Sequence, residues 1–376
     1  MTTDFASPSS KAGNQLFVSG TGGYAMLRGV DALIPGKSDG NSVQVVFCQS
    51  NKDAKSHAPG FLDPQRNLYY RFSAEAKGSR LIEYTIDPTT GSLSKEKIVL
   101  ATRDRNPRLG AFTPELGEVF TLTHDRKNDL ISGFAPPAGR PPKKPTPQAS
   151  IRIDDETARD FDVAVDPVDR STYFYIATPK GVTMARKQSG APDSDVDMDL
   201  RTDLGPSWAV AANPYSPRQV FVATGPRRAT EICRLDYSPE QANPTITRLP
   251  LPAGWELPVT RDHPHGLTFA VTRHPDGSEK VSVVVHKTEG SERHLLSFDT
   301  KADRLNDGGD LTIQLPKYTK GAAARIVCTG QDPATLIIAG SKHILAIDPA
   351  TQRTATARIN FPDGAAPVEP WTATWT

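Results

Sequence analysis

Long apolar runs are missing from this 376-residue chain. The longest reach about five residues, against the roughly 20 that a membrane-spanning helix needs. Charge of one sign is not in excess either: 44 Lys and Arg meet 43 Asp and Glu, a net charge of +1. That balance argues against the basic surface of a nucleic-acid binder and against an acidic, solvated tail. Cysteine is scarce, with only Cys48, Cys233 and Cys328. Their odd number and their place in strand-like runs speak for reduced, buried thiols rather than a disulfide framework or a catalytic thiolate. The opening "MTTDFASPSSKAGNQ" has no positively charged n-region and no apolar h-region. No N-x-S/T sequon occurs, since Asn243-Pro244-Thr245 has the forbidden proline. Cytoplasmic residence is the expectation, with no membrane and no nucleic-acid partner.

Helical periodicity is absent nearly everywhere. What fills the chain instead is turn chemistry, 33 Pro and 28 Gly between short alternating runs. One such run, "YTIDPTTGSL", is a strand, an Asp-Pro-Thr-Thr-Gly turn and the start of a second strand. It has echoes in "RLDYSPEQAN", "LSFDTKADRL" and "LAIDPATQRT". A second marker, an apolar run ending in a proline turn, falls at Pro64, Pro114, Pro167, Pro214, Pro275 and Pro333, 47 to 61 residues apart. Another apolar run follows each: "LYYRF", "VFTLT", "YFYIA", "VFVAT", "VSVVV" and "LIIAG". Each unit therefore reads as four short strands with Pro, Gly and Asp at the turns. Repeats of roughly 50 residues with four strands each are the mark of propeller blades.

Six such units fit between residues 57 and 361, which leaves the two ends. Near the N-terminus, "NQLFVSG", "YAMLRGV" and "SVQVVFC" supply three strands without a first one. The C-terminal "PVEPWTATWT" supplies one strand. Three and one complete a seventh blade, and pairing the two chain ends closes the ring without a free sheet edge. The expected fold is all-β, a seven-bladed propeller of four-stranded blades, with six blades as the alternative. Residues 1–13 read as a disordered tail and residues 14–376 as a single domain. Two loops stand apart: the proline-rich 136–148, and 190–199 with its four aspartates. The first reads as an outer turn rather than an SH3-type ligand. The second lacks the glycine and terminal glutamate of a calcium loop and reads as a solvated turn.

"QLFVSGTGGYAMLRGVD", "NPRLGAFTP", "TEICRLDYSPEQ" and the closing "VEPWTATWT" resemble the seven-bladed lactonase-type propellers, which include bacterial 6-phosphogluconolactonases and fungal 3-carboxymuconate cyclases. A shorter stretch, "HPHGLTF" followed by "VSVVVHK", is similar to paraoxonase-type six-bladed propellers. For the cyclase branch the resemblance implies a metal-free central cavity with a histidine, a glutamate and arginines. At the matching positions this chain carries Phe161, Pro226, Trp208 and Lys287, and only Lys287 is a conservative change. At the positions matching paraoxonase-type calcium ligands stand Ala211 and Ala323. The resemblance thus implies the scaffold and leaves the reaction open.

In a propeller the first strand of each blade lines the channel, so the residues entering it and those after the second strand are the candidates. His265 and His286 are the expected catalytic residues, because an imidazole at a channel mouth shuttles protons near neutral pH. Arg108 and Lys287 are expected to hold a carboxylate, enolate or ketone oxygen. Phe161 and Trp208 would make the cavity partly apolar, and His124 joins them as a substrate contact. The His263-Pro264-His265 spacing has no carboxylate cluster beside it, so no metal and no cofactor are expected. The leading expectation is a metal-independent cyclase or isomerase acting on a small, partly apolar molecule, possible work for a natural-product pathway. A lactone or ester hydrolase and a non-catalytic binding propeller are the alternatives. A monomer or weak homo-oligomer is expected.

Overall fold

The computed structural model describes residues 16–21, 23–28, 43–50, 61–63, 66–75, 78–87, 92–102, 106–113, 118–125, 128–134, 149–153, 157–188, 196–238, 241, 243–258, 269–274, 276–306, 311–315, 325–328, 336–339, 342–348, 353–361 and 369–375. Among them every regular element is a strand, and no helix is long and apolar enough to cross a membrane. The expected tail, the proline-rich loop and most of the aspartate loop lie outside the described residues.

Three strands open the chain: β1 (Leu16–Thr21), β2 (Gly23–Arg28) and β3 (Val43–Ser50). The first separate sheet is β4 (Phe61–Asp63), β5 (Leu68–Glu75), β6 (Gly78–Ile86) and β7 (Leu93–Thr102). The second is β8 (Asn106–Thr113), β9 (Glu118–Asp125), β10 (Asn128–Phe134) and β11 (Ala149–Ile153). The third is β12 (Asp160–Val165), β13 (Thr172–Ala177), β14 (Gly181–Lys187) and β15 (Val196–Asp203). The fourth is β16 (Ser207–Asn213), β17 (Ser216–Thr224), β18 (Glu231–Asp236) and β19 (Thr245–Pro250). The fifth has β20 (Trp255–Glu256), β21 (Ala270–Arg273), β22 (Glu279–Lys287), β23 (Arg293–Asp299) and β24 (Leu311–Gln314), with β20 and β21 both pairing β22. Then come β25 (Arg325–Cys328), β26 (Leu336–Ala339), β27 (His343–Ile347), β28 (Thr354–Asn360) and β29 (Glu369–Trp375).

The fold is an all-β propeller with antiparallel, four-stranded blades, but its hydrogen bonding differs from seven separate blades. Five sheets stand as separate blades, and the remaining strands form one eight-stranded sheet, β25-β26-β27-β28-β3-β2-β1-β29. The cause is a short parallel contact, Ile359 with Val43 and Asn360 with Gln44, which joins β28 to β3. At the other end of that sheet β29 pairs with β1, from Leu16 opposite Trp375 to Thr21 opposite Glu369. The chain termini are thereby stitched together.

The cores lie between the sheets, which explains the apolar runs. On β22, Val281, Val283 and Val285 pack against Phe221 and Ala223 of the fourth blade. The intervening Val284 packs against Leu336 and Ile338 on the opposite side. On β17, Val220 and Val222 face the third blade while Phe221 and Ala223 face the fifth. A strand buried on both faces has no polar alternation, hence "VSVVV" and "VFVAT". After three first strands a side chain supplies the turn's bond: Asp166 and Asn213 form Asx-turns with Val168 and Tyr215 N–H, and Asp63 accepts from Arg66 N–H one residue further on. A side chain that supplies the turn's own hydrogen bond makes that residue type its signature.

Candidate functional site

The first strands of the blades touch one another around the channel. Contacts run from β29 to β4, β8, β12 and β16, and from β21 through β25 back to β29. Among the described residues adjacent first strands have no backbone ladder between them, so the edge amides of one strand need partners from elsewhere. Between the third and fourth blades the partners are carboxylates. Val210 N–H donates to Asp160 Oδ2 at 3.0 Å, and Ala212 N–H donates to Asp162 Oδ2 at 2.8 Å. The second oxygen of Asp162 accepts from Val163 N–H at 2.8 Å. Arg159 extends the seam, donating to Ser207 O at 3.3 Å with its guanidinium 4.0 Å from the centre of the Trp208 ring.

Asp162 also faces open space. A cavity of about 270 Å³ lies between β12, β16 and β21, lined by Asp162, Val163, Ala211, Ala212, Phe269 and Val271 among others. Protein surrounds the carboxyl on its other sides, and that burial pushes its pKa up from 3.8 to about 6 against the pull of its two backbone donors. A carboxyl that titrates near neutrality on a cavity wall can both accept and return a proton.

A second cluster sits at the end of the channel where first strands begin and second strands end. Glu256 on β20 lies directly opposite His286 on β22, and His286 Nε2 is 2.8 Å from Glu256 Oε1. Arg228, from the loop between β17 and β18, donates to both oxygens of Glu256 at 2.9 Å. Glu256 is buried, His286 is part-exposed, and Arg228 is open to solvent. The loop is held by Gly225, whose carbonyl accepts Trp208 Nε1–H at 2.8 Å and whose N–H donates to Pro206 O at 3.1 Å. The carboxylate fixes Nε2 of the imidazole, while Nδ1 is enclosed by protein with no hydrogen-bond partner among the described residues.

The expected site residues are placed as follows. His286 joins Glu256 and Arg228. Lys287, next to it, turns elsewhere: Nζ pairs with Glu292 at 2.9 Å and lies 5.7 Å from the Trp255 ring centre. Phe161 is buried in the core between the second and third blades, with Phe174 and Ile176. Trp208 is buried in the core between the fourth and fifth. Neither is among the residues lining the 270 Å³ cavity. Arg108 stands on β8 where the pairing with β9 shifts register, and His124 stands near the end of β9 opposite Asn106; for both, the backbone alone is placed. His265 lies outside the described residues. Of the strands on either side of it in the chain, β20 pairs with Lys287 and His286 and β21 with Ser282 to Glu279. Among the described residues no three His, Cys, Asp or Glu side chains assemble as a metal site.

Two functional candidates were not legible as such. Asp162 stands in "DFDVAV", where Asp160 and Asp162 share one strand face, a pattern that signals an inward pair once β12 is known to line the channel. Glu256 sits in a two-residue strand, too short for any alternation to mark it.

No protein-family model matches the sequence, and no curated protein is similar to it in sequence. Solved structures are similar in fold. A periplasmic gluconolactonase from Pseudomonas aeruginosa superposes with a TM-score of 0.62 at 10% identity, covering 96% of this chain and 99% of that one. A proposed 6-phosphogluconolactonase from Bacteroides uniformis gives 0.59 at 11% identity, covering 97% and 100%. A Lactobacillus plantarum protein gives 0.55 at 12% identity, covering 97% and 99%. At such identities the likeness is one of fold.

Proposed function

We propose that this chain is an enzyme of lactonase-like propeller architecture that holds a small, partly apolar molecule in its channel and moves a proton on it, in an isomerisation or cyclisation. The observation that carries this reading is Asp162, a carboxyl with a pKa of about 6 on the wall of a cavity whose other lining side chains are uncharged. Ionised, it removes a proton from one atom of the bound molecule; protonated, it returns that proton to another, so the step balances without a second reagent. Ala212 and Val163 hold the carboxyl in place through the cycle, and that positioning is itself a large part of such catalysis. We count the eight-stranded sheet as two blades joined at Ile359–Val43, which makes seven blades and seven channel-lining positions.

A second reading, hydrolysis of a lactone or ester, is favoured by the Glu256–His286 pair and by the gluconolactonase descriptions of the fold neighbours. There a ring turn that opens the enclosed Nδ1 of His286 lets it take a proton from water as the water oxygen attacks the carbonyl, and return it to the alkoxide as the ring C–O bond breaks. One experiment separates the two. Asp162→Asn and His286→Asn variants are compared with the native protein for lactone and aryl-ester opening, and for deuterium uptake from D₂O into small cyclic ketones followed by NMR. The first reading expects deuterium exchange that falls by about 100-fold or more in Asp162→Asn alone. Lactone opening lost in His286→Asn alone favours the second. Full activity in both variants removes both residues from the chemistry.

A further inference from the structure

The channel cavity has two features beyond its size, a carboxylate and an aromatic ring on one small surface. Asp162 is directed into the wall by its two amide donors, each 2.8 Å away, yet an ionised carboxylate has lone pairs for further donors. Phe269, half-buried and tilted against Phe221 with ring centres 6.5 Å apart, lines the same space beside Val271. We propose that this cavity is an ammonium site: it takes a small molecule with an apolar or aromatic body and one protonated amine, the amine against Asp162 and the body against Phe269 and Val271.

This deepens the reading of the channel as the ligand site and rests on it. Three arguments lead to the amine. First, no Lys, Arg or His among the described residues pairs with Asp162. Its described charged and titratable neighbours are Asp160 on the same strand, bonded to Val210 N–H, and Tyr175 across on β13, whose hydroxyl donates to Pro217 O. Arg159 on β12 is spent on Ser207 and Trp208. Arg218 on β17 is spent on Asp166, Asp169 and Tyr173. β16 presents Ala211 and Ala212 and β21 presents Val271. β8, which carries Arg108, flanks β12 on the other side. A half-buried anion without a counter-charge among the described residues is costly, and a ligand cation relieves that cost while a ligand anion compounds it. Second, an ammonium is attracted by an aromatic face as well as by a carboxylate, which matches the pairing of Phe269 with Asp162. Third, a dry cavity of about 150 Å³ already holds benzene. The 270 Å³ here takes a ring with a short aminoalkyl arm.

The test uses 2-phenylethylamine and its uncharged isostere 2-phenylethanol, titrated calorimetrically into the full-length protein. The amine stays protonated across the range, so the group that changes charge is Asp162, and the amine's advantage has to grow as pH rises through about 6. The expected result is a preference of about tenfold or more for the amine near pH 7.5, most of it lost near pH 5. Asp162→Asn should remove the preference while leaving the native circular dichroism. Equal binding of the two compounds, binding of neither, or a preference insensitive to pH in the native protein overturns the proposal, whatever the variant does. Turnover is read separately. Amine binding without an Asp162-dependent proton transfer keeps the site and sinks the catalytic reading; Asp162-dependent exchange on neutral ketones without amine preference does the reverse.

Discussion

Asp162 makes a stability prediction whose sign runs opposite to that of most native carboxylates. Its pKa is raised in the folded protein, to about 6 from an ordinary 3.8, because burial penalises the anion more than two backbone donors favour it. The folded state therefore holds the proton more tightly than the unfolded chain. Its contribution is fully present below pH about 4 and is lost as pH rises through about 6, by an amount of at most about 3 kcal/mol. Asp169, Asp276 and Glu292 act in the other sense. Hydrogen bonds from the Ser171 backbone, from Ser278 and from Lys287, respectively, hold each below its ordinary value, and that stability disappears in acid. Raw pH profiles mix the two, so the informative quantity is the difference between the native protein and Asp162→Asn. Urea midpoints from pH 4 to pH 7 should show Asp162→Asn gaining on the native protein as pH rises. A constant offset across the range would mean that the carboxyl is not enclosed.

At the scale of the element, the loop between β17 and β18 decides whether the Arg228–Glu256–His286 cluster exists. Gly225 has φ of +150°, and a Cβ built there would lie 2.0 Å from Arg228 O. Gly225→Ala must therefore displace the backbone that carries Arg228 and the carbonyl that accepts Trp208 Nε1–H. A loss of about 2–4 kcal/mol is expected, together with a change in tryptophan fluorescence. Gly290 is the control: its φ is +106° but its Cβ would meet open space, so Gly290→Ala should cost about 1 kcal/mol. Neither glycine is distinguishable from a routine turn glycine by its sequence neighbours, because the clash is with a carbonyl three residues on. The turns that could be read in advance are those whose side chains make the turn themselves. Asp63, Asp166 and Asn213 each precede a proline and accept the turn's N–H, so residue type and role coincide. Glu256 is the converse: its role comes from a cross-strand partner thirty residues away and from a loop of another blade, and nothing near it in the chain marks either.

For the whole molecule, the blade repeat was legible because second strands such as β13, β17 and β22 are buried on both faces and the sequence sets a proline just after each first-strand run. The fused outer edge was not, since among the described residues only Ile359–Val43 and Asn360–Gln44 make it and two residues leave no pattern. The closure at the other side is of a different order. β29 pairs with β1 along its whole length and touches β4 and β25, so one C-terminal strand contacts the elements on both sides of the junction. Its removal would expose the edge of β1 and uncover the contacts of Leu16 and Val18, which are buried against β26 and β27. A chain truncated after residue 368 should therefore lose more than a strand's share of stability. An open antiparallel edge on an otherwise closed ring invites pairing with a second copy. The expected outcome is a lower melting temperature, together with concentration-dependent association seen by light scattering. Adding back a peptide of residues 369–376 should reverse both if β29 acts as a closing strand. A truncated chain that stays monomeric and melts like the native protein would place the closure elsewhere, with the parallel β28–β3 contact as the remaining link between the two ends of the chain.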